Sequence, residues 1–295
     1  MTKSIGWELY RSFLAVLNHG SLSAAARALG ITQPTVGRHV AELETSFKQT
    51  LFTRSRTGLL PTEAALSLRG YAEAMHSNAA ALERAVGGEG LGIHGTVRVS
   101  ASEVIAVEVL PPALARLRQQ HPQLTIEVVA TNRMLDLLQR EADIAVRMTA
   151  PKQEQLIARS VGQVELGLYA HVDYLSQHGT PQTQADLAQH TLIGFDTETP
   201  FLREASKRVP GWGRAGFALR SDSDLAQFAM IRAGAGLGFF QCALASRVPG
   251  LVRVLPEQLS YQLDTWITMH EDLRGTERCK VTFDALVQCL LAHTN

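Results

Sequence analysis

The chain has 295 residues, of which 45% are hydrophobic, and its 28 lysines and arginines balance its 28 aspartates and glutamates. This length predicts two or three domains with sizeable cores. The three cysteines, Cys242, Cys279 and Cys289, are an odd, sparse set without a Cys-x-x-Cys pair, which favours reduced cytosolic thiols over disulfides or zinc. No apolar run follows Met1, Thr2 and Lys3, so we expect no signal peptide and a cytoplasmic location. No segment approaches the roughly 18 apolar residues that a membrane span needs, so we expect no membrane contact.

Residues 21–44 predict two short helices joined by a tight turn. Ser21 and Ser23 are N-cap candidates before an alanine-rich run. Gly30 ends that run and suits the left-handed position that follows a helix. A helical pair of this kind is typical of helix-turn-helix proteins, and a plain helical hairpin is the alternative.

The second of these helices carries a polar face. Thr32 can cap it, and Pro34 falls in its first turn, where the missing N–H costs nothing. Its apolar stripe consists of Val36, Val40 and Leu43, which recur at helical spacing. The residues away from that stripe are Gln33, Thr35, Arg38, His39 and Glu42. A helix presented in this way fits the DNA major groove, and its N-terminal half reaches base edges.

The flanking segments favour the DNA interpretation over a solvated hairpin. Residues 51–62 predict a short hairpin wing that carries Arg54 and Arg56. Over residues 1–60 there are seven lysines and arginines against three acidic residues, in a chain that is neutral overall. Basic charge concentrated on a small head is typical of phosphate binding. An upstream apolar stripe supplies a first helix through Trp7, Leu9, Phe13, Val16 and Leu17.

These segments resemble the LysR-type transcriptional regulators. The similarity runs without a gap from Phe13 to Ala64, with one departure at Gly37, where the family commonly has serine. A glycine inside a helix costs up to about 1 kcal/mol. The matching segments are 13–16, 20–26, 29–36, 43–44, 51–54 and 60–64.

The resemblance implies a winged helix-turn-helix DNA-binding domain over residues 1–61 and a regulator rather than an enzyme. Its partners would be double-stranded operator DNA, a small-molecule effector and RNA polymerase, with no cofactor and no metal. We expect the DNA contacts at Ser23, Thr32, Gln33, Pro34, Thr35, Arg38, His39, Arg54 and Arg56.

Residues 62–86 predict one long helix with a heptad-like seam. The seam consists of Leu68, Ala72, Met75, Ala79, Leu82 and Val86. We interpret this helix as a dimerisation linker in a homodimer or homotetramer, which the resemblance also implies. A dimer would place two recognition helices about 34 Å apart, one DNA turn, or a multiple of it. The alternative is a helix that lies on its own domain.

A hinge and an α/β domain follow. Five of the nine residues from 87 to 95 are glycine, so we place a hinge at 87–94 and an effector-binding domain at 95–295. Strand and helix patterns alternate there, which predicts mostly parallel sheets. Strands are expected at 96–100, 125–129, 143–147, 164–169, 191–195, 217–220, 237–240, 251–255 and 266–269. Helices are expected at 104–120, with an interruption or restart at Pro111, and at 134–140, 222–233 and 276–292, with short helical pieces in 174–189.

The resemblance further implies two lobes built like a periplasmic binding protein, with a cleft between them. Lobe I takes about 95–163 and 268–295, and lobe II takes about 164–267. Small ligands bind at the carboxyl ends of strands in such sheets. The effector candidates at those ends are Ser100, Ser102, Thr131, Asn132, Arg147, Phe195, Asp196 and Asp222. The alternative is a structural role, with Ser102 and Asp222 as helix N-caps and Arg147 paired to a local carboxylate.

The sequence contains no clear enzyme motif. The glycines of residues 234–238 follow a predicted helix and precede a strand, the reverse of a dinucleotide fingerprint, and fit a helix C-cap better. Phosphate loops, nucleophile elbows and metal-binding histidine pairs do not occur. Two alternatives to an effector-responsive regulator stay open, an architectural DNA-binding oligomer without an effector and an α/β enzyme with an incidental helical head.

Overall fold

The protein is described by a computed structural model that covers residues 5–55, 58–86, 93–132, 137, 141–151, 155–209 and 211–294. The chain divides into two compact units. One consists of residues 1–86 with 139–141, and the other of residues 87–138 and 142–295.

The first unit is a winged helix-turn-helix followed by a long helix. Its predicted helix boundaries are confirmed, because the Ser21 hydroxyl accepts a hydrogen bond from the Ala24 N–H and Gly30 ends the helix with a φ of 67°. Thr32 stands at the N-cap position of the next helix, but its hydroxyl bonds to that of Thr35, so its side chain does not cap the helix. The elements are α1 (Trp7–His19), α2 (Leu22–Leu29), α3 (Gln33–Phe47), β1 (Phe52–Ser55), β2 (Gly58–Pro61) and α4 (Glu63–Val86).

One apolar core holds this unit together. Val16, Val36 and Leu43 are fully buried in it, as the helical spacing predicts, and Ala65 and Ala72 of α4 pack into the same cluster. Burying an aliphatic side chain of this size contributes about 1.5–3 kcal/mol. The N-terminal half of α4 therefore lies on its own domain, which is the alternative that the heptad pattern left open.

The β1–β2 wing is fixed to the helices at two points. The carboxylate of Glu44, near the end of α3, accepts a hydrogen bond of 2.7 Å from the Leu51 N–H. Gly58 has a φ of 141°, and a Cβ there would lie 2.5 Å from the carbonyl oxygen of Gly20. The N–H of Leu59 donates to that same carbonyl at 2.8 Å. Only glycine fits at position 58, since the wing crosses the α1–α2 turn at backbone contact.

The second unit is built on a seven-stranded sheet within the described residues, in the order β10-β6-β11-β5-β3-β4 with β9 also on β6. A two-stranded parallel pair, β7–β8, stands apart from it. The large sheet is mixed, which corrects the expectation of mostly parallel sheets, because β6, β9, β10 and β11 pair antiparallel. The strands are β3 (Gly95–Ala101), β4 (Leu124–Ala130), β5 (Ile144–Arg147), β6 (Leu156–His171), β7 (Ile193–Gly194), β8 (Leu219–Arg220), β9 (Gly238–Gln241), β10 (Leu251–Val254) and β11 (Ser260–His270).

Two strands are much longer than their apolar runs predicted. β6 has 16 residues and β11 has 11, and they pair with each other along most of their length. The register shifts between Asp264 and Trp266, where the ladder is irregular. The first half of β6 is largely exposed, so it carries no apolar pattern that would mark the start of the strand in the sequence.

The helices of this unit largely follow the predicted pattern. The helix expected at 104–120 consists of a π-helical turn over Ile105–Val109 and a separate α-helix, so the predicted restart at Pro111 is confirmed. Most of the helix predicted at 134–140 lies outside the described residues. The helices are α5 (Pro111–Gln120), α6 (Val172–His178), α7 (Pro200–Arg208), α8 (Asp224–Arg232), α9 (Cys242–Ala245) and α10 (Glu277–Thr294), with 3-10 turns at Gln184–Gln189, Arg214–Gly216 and Glu271–Leu273.

Two separate apolar cores flank the long strands. One contains Val99 and Ile144 with Leu286 of α10, and the other contains Leu168 and Phe217. The first core also contains Phe228 and Phe240, from the range predicted as lobe II, so the two cores do not follow the predicted lobe bounds, and those bounds stay a prediction. Where β3 and β4 end, hydrogen bonds join the predicted lobe I to the start of α8 in the predicted lobe II.

Candidate DNA interface and effector site

The predicted DNA-contacting face of α3 is exposed. Gln33, Pro34 and Arg38 are exposed along it, while Thr35 is half-buried. Val36 and Val40 turn the opposite face into the core. The glycine at position 37 has room for a side chain, because a Cβ would lie 3.5 Å from the Leu22 Cδ1, an ordinary contact. Packing therefore does not explain the departure from the serine that the family commonly has.

Ser23 is linked to the start of α3. Its hydroxyl donates a hydrogen bond of 2.9 Å to Oε1 of Gln33. The two side chains are exposed, and the bond uses only the amide oxygen of Gln33, not its N–H donors. Ser23 thus orients Gln33 toward any acceptor that approaches the helix.

His39 differs from its neighbours because it has a partner inside the domain. Its Nδ1 lies 2.8 Å from the hydroxyl of Ser12, which is 1% exposed in the core of α1. The imidazole is half-buried. The contact ties α3 to α1, so one ring nitrogen of His39 is already used within the protein.

The structure describes one of the two arginines of the wing. Arg54 on β1 is exposed, and Arg56 lies outside the described residues. Leu60 on β2 is also exposed. Ser23, Arg54 and the exposed residues of α3 all belong to the first unit.

In lobe I the structure links two of the predicted effector residues. Ser100 is fully buried, and its hydroxyl accepts a hydrogen bond of 2.6 Å from Nη2 of Arg147. Burial lowers the pKa of the Arg147 guanidinium to about 10, because the charged form loses hydration. Thr131, at the end of β4, donates its backbone N–H to the carbonyl of Ala101. These residues occupy the carboxyl ends of adjacent parallel strands, as expected.

Asn132 bridges the two lobes. Its Nδ2 donates a hydrogen bond of 2.7 Å to Oδ2 of Asp224 at the start of α8, and its Oδ1 accepts from the Glu103 N–H at 3.2 Å. A second bridge runs beside the first, from the Ser223 hydroxyl to Oε2 of Glu103 at 2.8 Å. We call these four residues the interlobe clasp.

Asp224 of the clasp has a perturbed acidity. Burial raises its pKa to about 6, and the nearby negative charge of Glu103 acts in the same direction, while the hydrogen bond from Asn132 partly opposes both. Its carboxylate therefore changes charge close to neutral pH.

In lobe II, Asp222 has a local structural role. Its carboxylate accepts hydrogen bonds from the N–H groups of Asp196 and Thr197 and from the Thr197 hydroxyl, and these bonds lower its pKa. Asp222 is not the N-cap of α8, since Ser223 accepts from the Ala226 N–H there, which corrects one alternative. Asp222 instead holds the loop that follows β7 by these hydrogen bonds.

The other two lobe II candidates, Phe195 and Asp196, directly follow β7 in this loop. The Asp196 carboxylate forms a salt bridge of 2.9 Å with Arg214. Phe195 is half-buried against the apolar core of lobe II. The polar atoms of this loop are thus largely engaged within lobe II.

The sequence interpretation missed four residues at the lobe edge. Glu103, Ser223 and Asp224 each lie one or two positions from a predicted candidate, but the pairing between distant segments has no local signal. Trp266 lies in a predicted strand, and only the register places it directly opposite Arg147.

Within the part of the chain that the structure describes, side chains that group as metal ligands do not occur. A search of the described helices finds none that is long and apolar enough to cross a membrane.

Comparison with known proteins matches both units. Residues 7–66 match the bacterial regulatory helix-turn-helix protein family of lysR type, and residues 91–292 match the LysR substrate binding domain. The chain is 30% identical to an HTH-type transcriptional regulator of Xanthomonas campestris pv. campestris, over 62% of this chain and 53% of the relative. It is 27% identical to the probable HTH-type transcriptional regulator LtrA of Klebsiella pneumoniae, over 95% of this chain and 93% of the relative.

A solved structure shares the fold along nearly the whole chain. CrgA from Neisseria meningitidis, a LysR-type transcriptional regulator, has a TM-score of 0.59 and 24% identity, over 98% of this chain and 99% of CrgA. This similarity shows the fold, and the two domain matches, which cover most of the chain, show that it belongs to the LysR family of transcriptional regulators.

Proposed function

We propose that the protein recognises operator DNA through the exposed face of α3 and the β1–β2 wing. The observation that carries this proposal is the exposed row of Gln33, Pro34 and Arg38 on a helix whose other face is buried. Gln33 and Arg38 offer donors to base edges in the major groove, and Arg54 offers a charge to a phosphate. We assign His39 to positioning α3, through its hydrogen bond to Ser12.

The remaining DNA candidates support the same surface in smaller ways. Ser23 orients Gln33, and the Thr32 hydroxyl is bonded to that of Thr35. Pro34 places an apolar ring where a thymine methyl can pack. Arg56 stays a prediction, because it lies outside the described residues.

We infer that a small effector binds between lobes I and II and shifts their closure. The polar groups at the lobe edge support this role, because Ser100, Ser102, Thr131 and Arg147 lie at the strand ends of lobe I, beside the bond from Asn132 to Asp224 of lobe II. Phe195 of lobe II stays a predicted contact. Effector binding changes the DNA-bound population only if the ligand prefers one lobe arrangement. The match to a substrate binding domain favours this function over an architectural oligomer, and the relatives are regulators rather than enzymes.

The domain organisation that fits this function has a DNA-binding domain at 1–61, a linker helix at 62–86, a hinge at 87–94 and an effector domain at 95–295. We propose a cytoplasmic protein that acts on transcription by contact with RNA polymerase. We also propose that the linker helix α4 forms the dimer seam, because it presents apolar side chains to solvent. Tyr71 is 75% exposed and Leu82 is 70% exposed, with Met75 between them on the same side of the helix.

Introducing a charge into this stripe is expected to separate the subunits. Leu82→Glu places a carboxylate in an apolar helix–helix seam, where leaving it unpaired costs several kcal/mol. We expect sedimentation velocity to show monomers for this variant and dimers or tetramers for the wild type. His76→Glu adds the same carboxylate at another exposed position of α4 and keeps the oligomer. If Leu82→Glu sediments like the wild type, α4 is not the seam.

DNA recognition itself is tested with the DNA upstream of the protein's own gene. We expect a gel-shift titration of the full chain to give binding that resists random competitor DNA and weakens steeply between two salt concentrations, since Lys and Arg release counterions from phosphates. Arg54→Ala should weaken binding to all sequences and flatten the salt slope by about one unit. Binding equal to that of random DNA would contradict operator recognition at this site.

A further inference from the structure

The interlobe clasp joins segments that lie far apart in the chain. Glu103 and Asn132 follow β3 and β4, whereas Ser223 caps α8 and Asp224 is its first residue. Two hydrogen bonds cross between these segments, from Asn132 Nδ2 to Asp224 Oδ2 at 2.7 Å and from Ser223 Oγ to Glu103 Oε2 at 2.8 Å. A movement that separates the predicted lobes at this edge therefore has to break both bonds.

The groups of the clasp also hold one another in place. The Asn132 Oδ1 accepts a hydrogen bond from the Glu103 N–H at 3.2 Å, so the amide that reaches Asp224 is oriented from its other end. The Ser223 hydroxyl, which donates to Glu103, accepts from the Ala226 N–H at 3.3 Å. The donors that reach the two carboxyl groups across this edge are thus a neutral amide and a neutral hydroxyl, and neither offsets a negative charge.

A negative charge on Asp224 is unfavourable in this arrangement. Its carboxyl is half-buried, and burial raises its pKa to about 6, an effect that the charge of Glu103 increases and the bond from Asn132 reduces. Asp222, two positions earlier, does not shift this pKa, because its carboxylate serves the loop of Asp196 and Thr197.

The strands behind α8 do not supply a compensating charge. Helix α8 packs against β6, β7 and β9, and the ionisable residues of these strands do not shift the pKa of Asp224. Those residues are Arg159, Glu165, Tyr169 and His171, all of them on β6. The charge state of the clasp is therefore decided by its own two carboxyl groups.

We propose that the interlobe clasp is a proton-operated latch, closed when Asp224 is protonated and released when Asp224 carries a charge beside Glu103. This inference goes beyond the proposed effector function, since the ligand is a proton and its site is the clasp. A proton on Oδ1 of Asp224 leaves Oδ2 able to accept from Asn132 and removes the repulsion from Glu103. An ionised Asp224 regains its hydration only when the segments separate. Asn132 is exposed, so solvent reaches the latch.

The direction of the response follows from the linkage between protonation and closure. In the closed clasp the pKa of Asp224 is about 6, and hydration in the open state returns it toward the ordinary value of 3.8. The closed form therefore binds the proton more tightly, and closure is favoured as the pH falls. The ratio of closed to open protein decreases by at most about tenfold from about pH 5 to about pH 7.5.

The test is amide hydrogen exchange of the full chain, followed by mass spectrometry from about pH 5 to about pH 7.5. Each rate is divided by the intrinsic exchange rate at the same pH, which leaves the protection that the structure provides. The Glu103 N–H bonds to the Asn132 side chain, so its protection reports an intact clasp. We expect this protection to fall by about three- to tenfold over the range in the wild type.

Variants of the clasp separate the latch from other effects of pH. Asp224→Asn keeps an acceptor for Asn132 without a charge, so its protection should stay high and constant across the range. Glu103→Gln removes the like charge and should move the fall in protection to lower pH. Asn132→Ala removes the acceptor of the Glu103 N–H and should abolish the protection at every pH, which calibrates the open state.

A matched control and the DNA assay complete the experiment. Glu257→Gln removes an exposed carboxylate elsewhere in the predicted lobe II and should keep the wild-type pH dependence. Protection that does not change with pH in the wild type, or that falls equally in Asp224→Asn, would overturn the latch. If protection follows the expected pattern while the operator is not bound at any pH, the latch stands and the proposed DNA recognition is wrong.

Discussion

Replacing Arg38 by alanine is expected to relax the protein's preference for its operator over sequences that differ at the base that Arg38 contacts. The Arg38 side chain is exposed near the N-terminal half of α3, where a guanidinium reaches the acceptor pair on a guanine edge. Loss of one such contact costs about 1–3 kcal/mol at the matched base, which is about a 5- to 150-fold loss of discrimination. Fluorescence anisotropy with the operator and with single-base variants measures this ratio.

The Arg38 result needs a variant that removes charge without touching α3. Arg11→Ala serves this purpose, because Arg11 is exposed on α1 and forms an i,i+3 pair of 3.7 Å with Glu8. We expect it to keep the wild-type preference. Gln33→Ala should also relax the preference, and Ser23→Ala should do so more weakly, since Ser23 acts only by orienting Gln33. Unchanged preference in Arg38→Ala would mean that another element reads the bases.

The substitution Asp224→Asn is expected to raise the free energy of unfolding of the effector domain at neutral pH and to make it depend less on pH. The folded-state pKa of Asp224 is about 6, above the ordinary value of 3.8, because burial and Glu103 disfavour the carboxylate. The stabilising proton is therefore fully present below about pH 4 and is lost as the pH rises through about 6. The shift of about two pKa units corresponds to about 3 kcal/mol at most.

The measurement for Asp224 is the free energy of unfolding in urea, from about pH 4 to about pH 7.5. The difference between Asp224→Asn and wild type should grow with pH in favour of the variant, which keeps an acceptor for Asn132 but no charge beside Glu103. Asp264→Asn neutralises an exposed carboxylate that accepts a hydrogen bond from Gln163. We expect the free energy of unfolding of this variant to depend on pH as it does in the wild type. A constant difference between variant and wild type across this range would show that Asp224 is not held in a desolvated clasp.

Local signals in the sequence predict the DNA-binding unit well. Ser21, Gly30 and Pro34 act within one or two turns of chain, and their preferences for caps and turns depend on local backbone geometry and local hydrogen bonds. The Val36, Val40 and Leu43 stripe likewise predicts which face of α3 is buried. The elements of a small helical domain are specified by neighbours in the sequence, so single-chain reasoning works there.

The candidate effector site was predicted less completely, for a physical reason. Ser100 and Arg147 follow strands whose apolar runs are visible, and the rule that ligands bind at strand ends placed them correctly at one edge. Asp222 follows a strand of lobe II in the same way, but its carboxylate accepts hydrogen bonds from the loop of Asp196 and Thr197. Whether a side chain at such an edge faces a ligand or a neighbouring loop depends on contacts that no local pattern encodes.

The sequence by itself determined the helix-turn-helix, the excess of basic charge in the first 60 residues and the alternation of strands and helices after residue 95. Tertiary structure alone decided the mixed strand order, the length of β6 and β11, the interlobe clasp and the place of Trp266 beside Arg147. The reason is the range of the interactions. Caps, turns and apolar periodicity act over a few residues, whereas strand register and the Asn132–Asp224 bond join segments about a hundred residues apart, and their free energy depends on the whole fold.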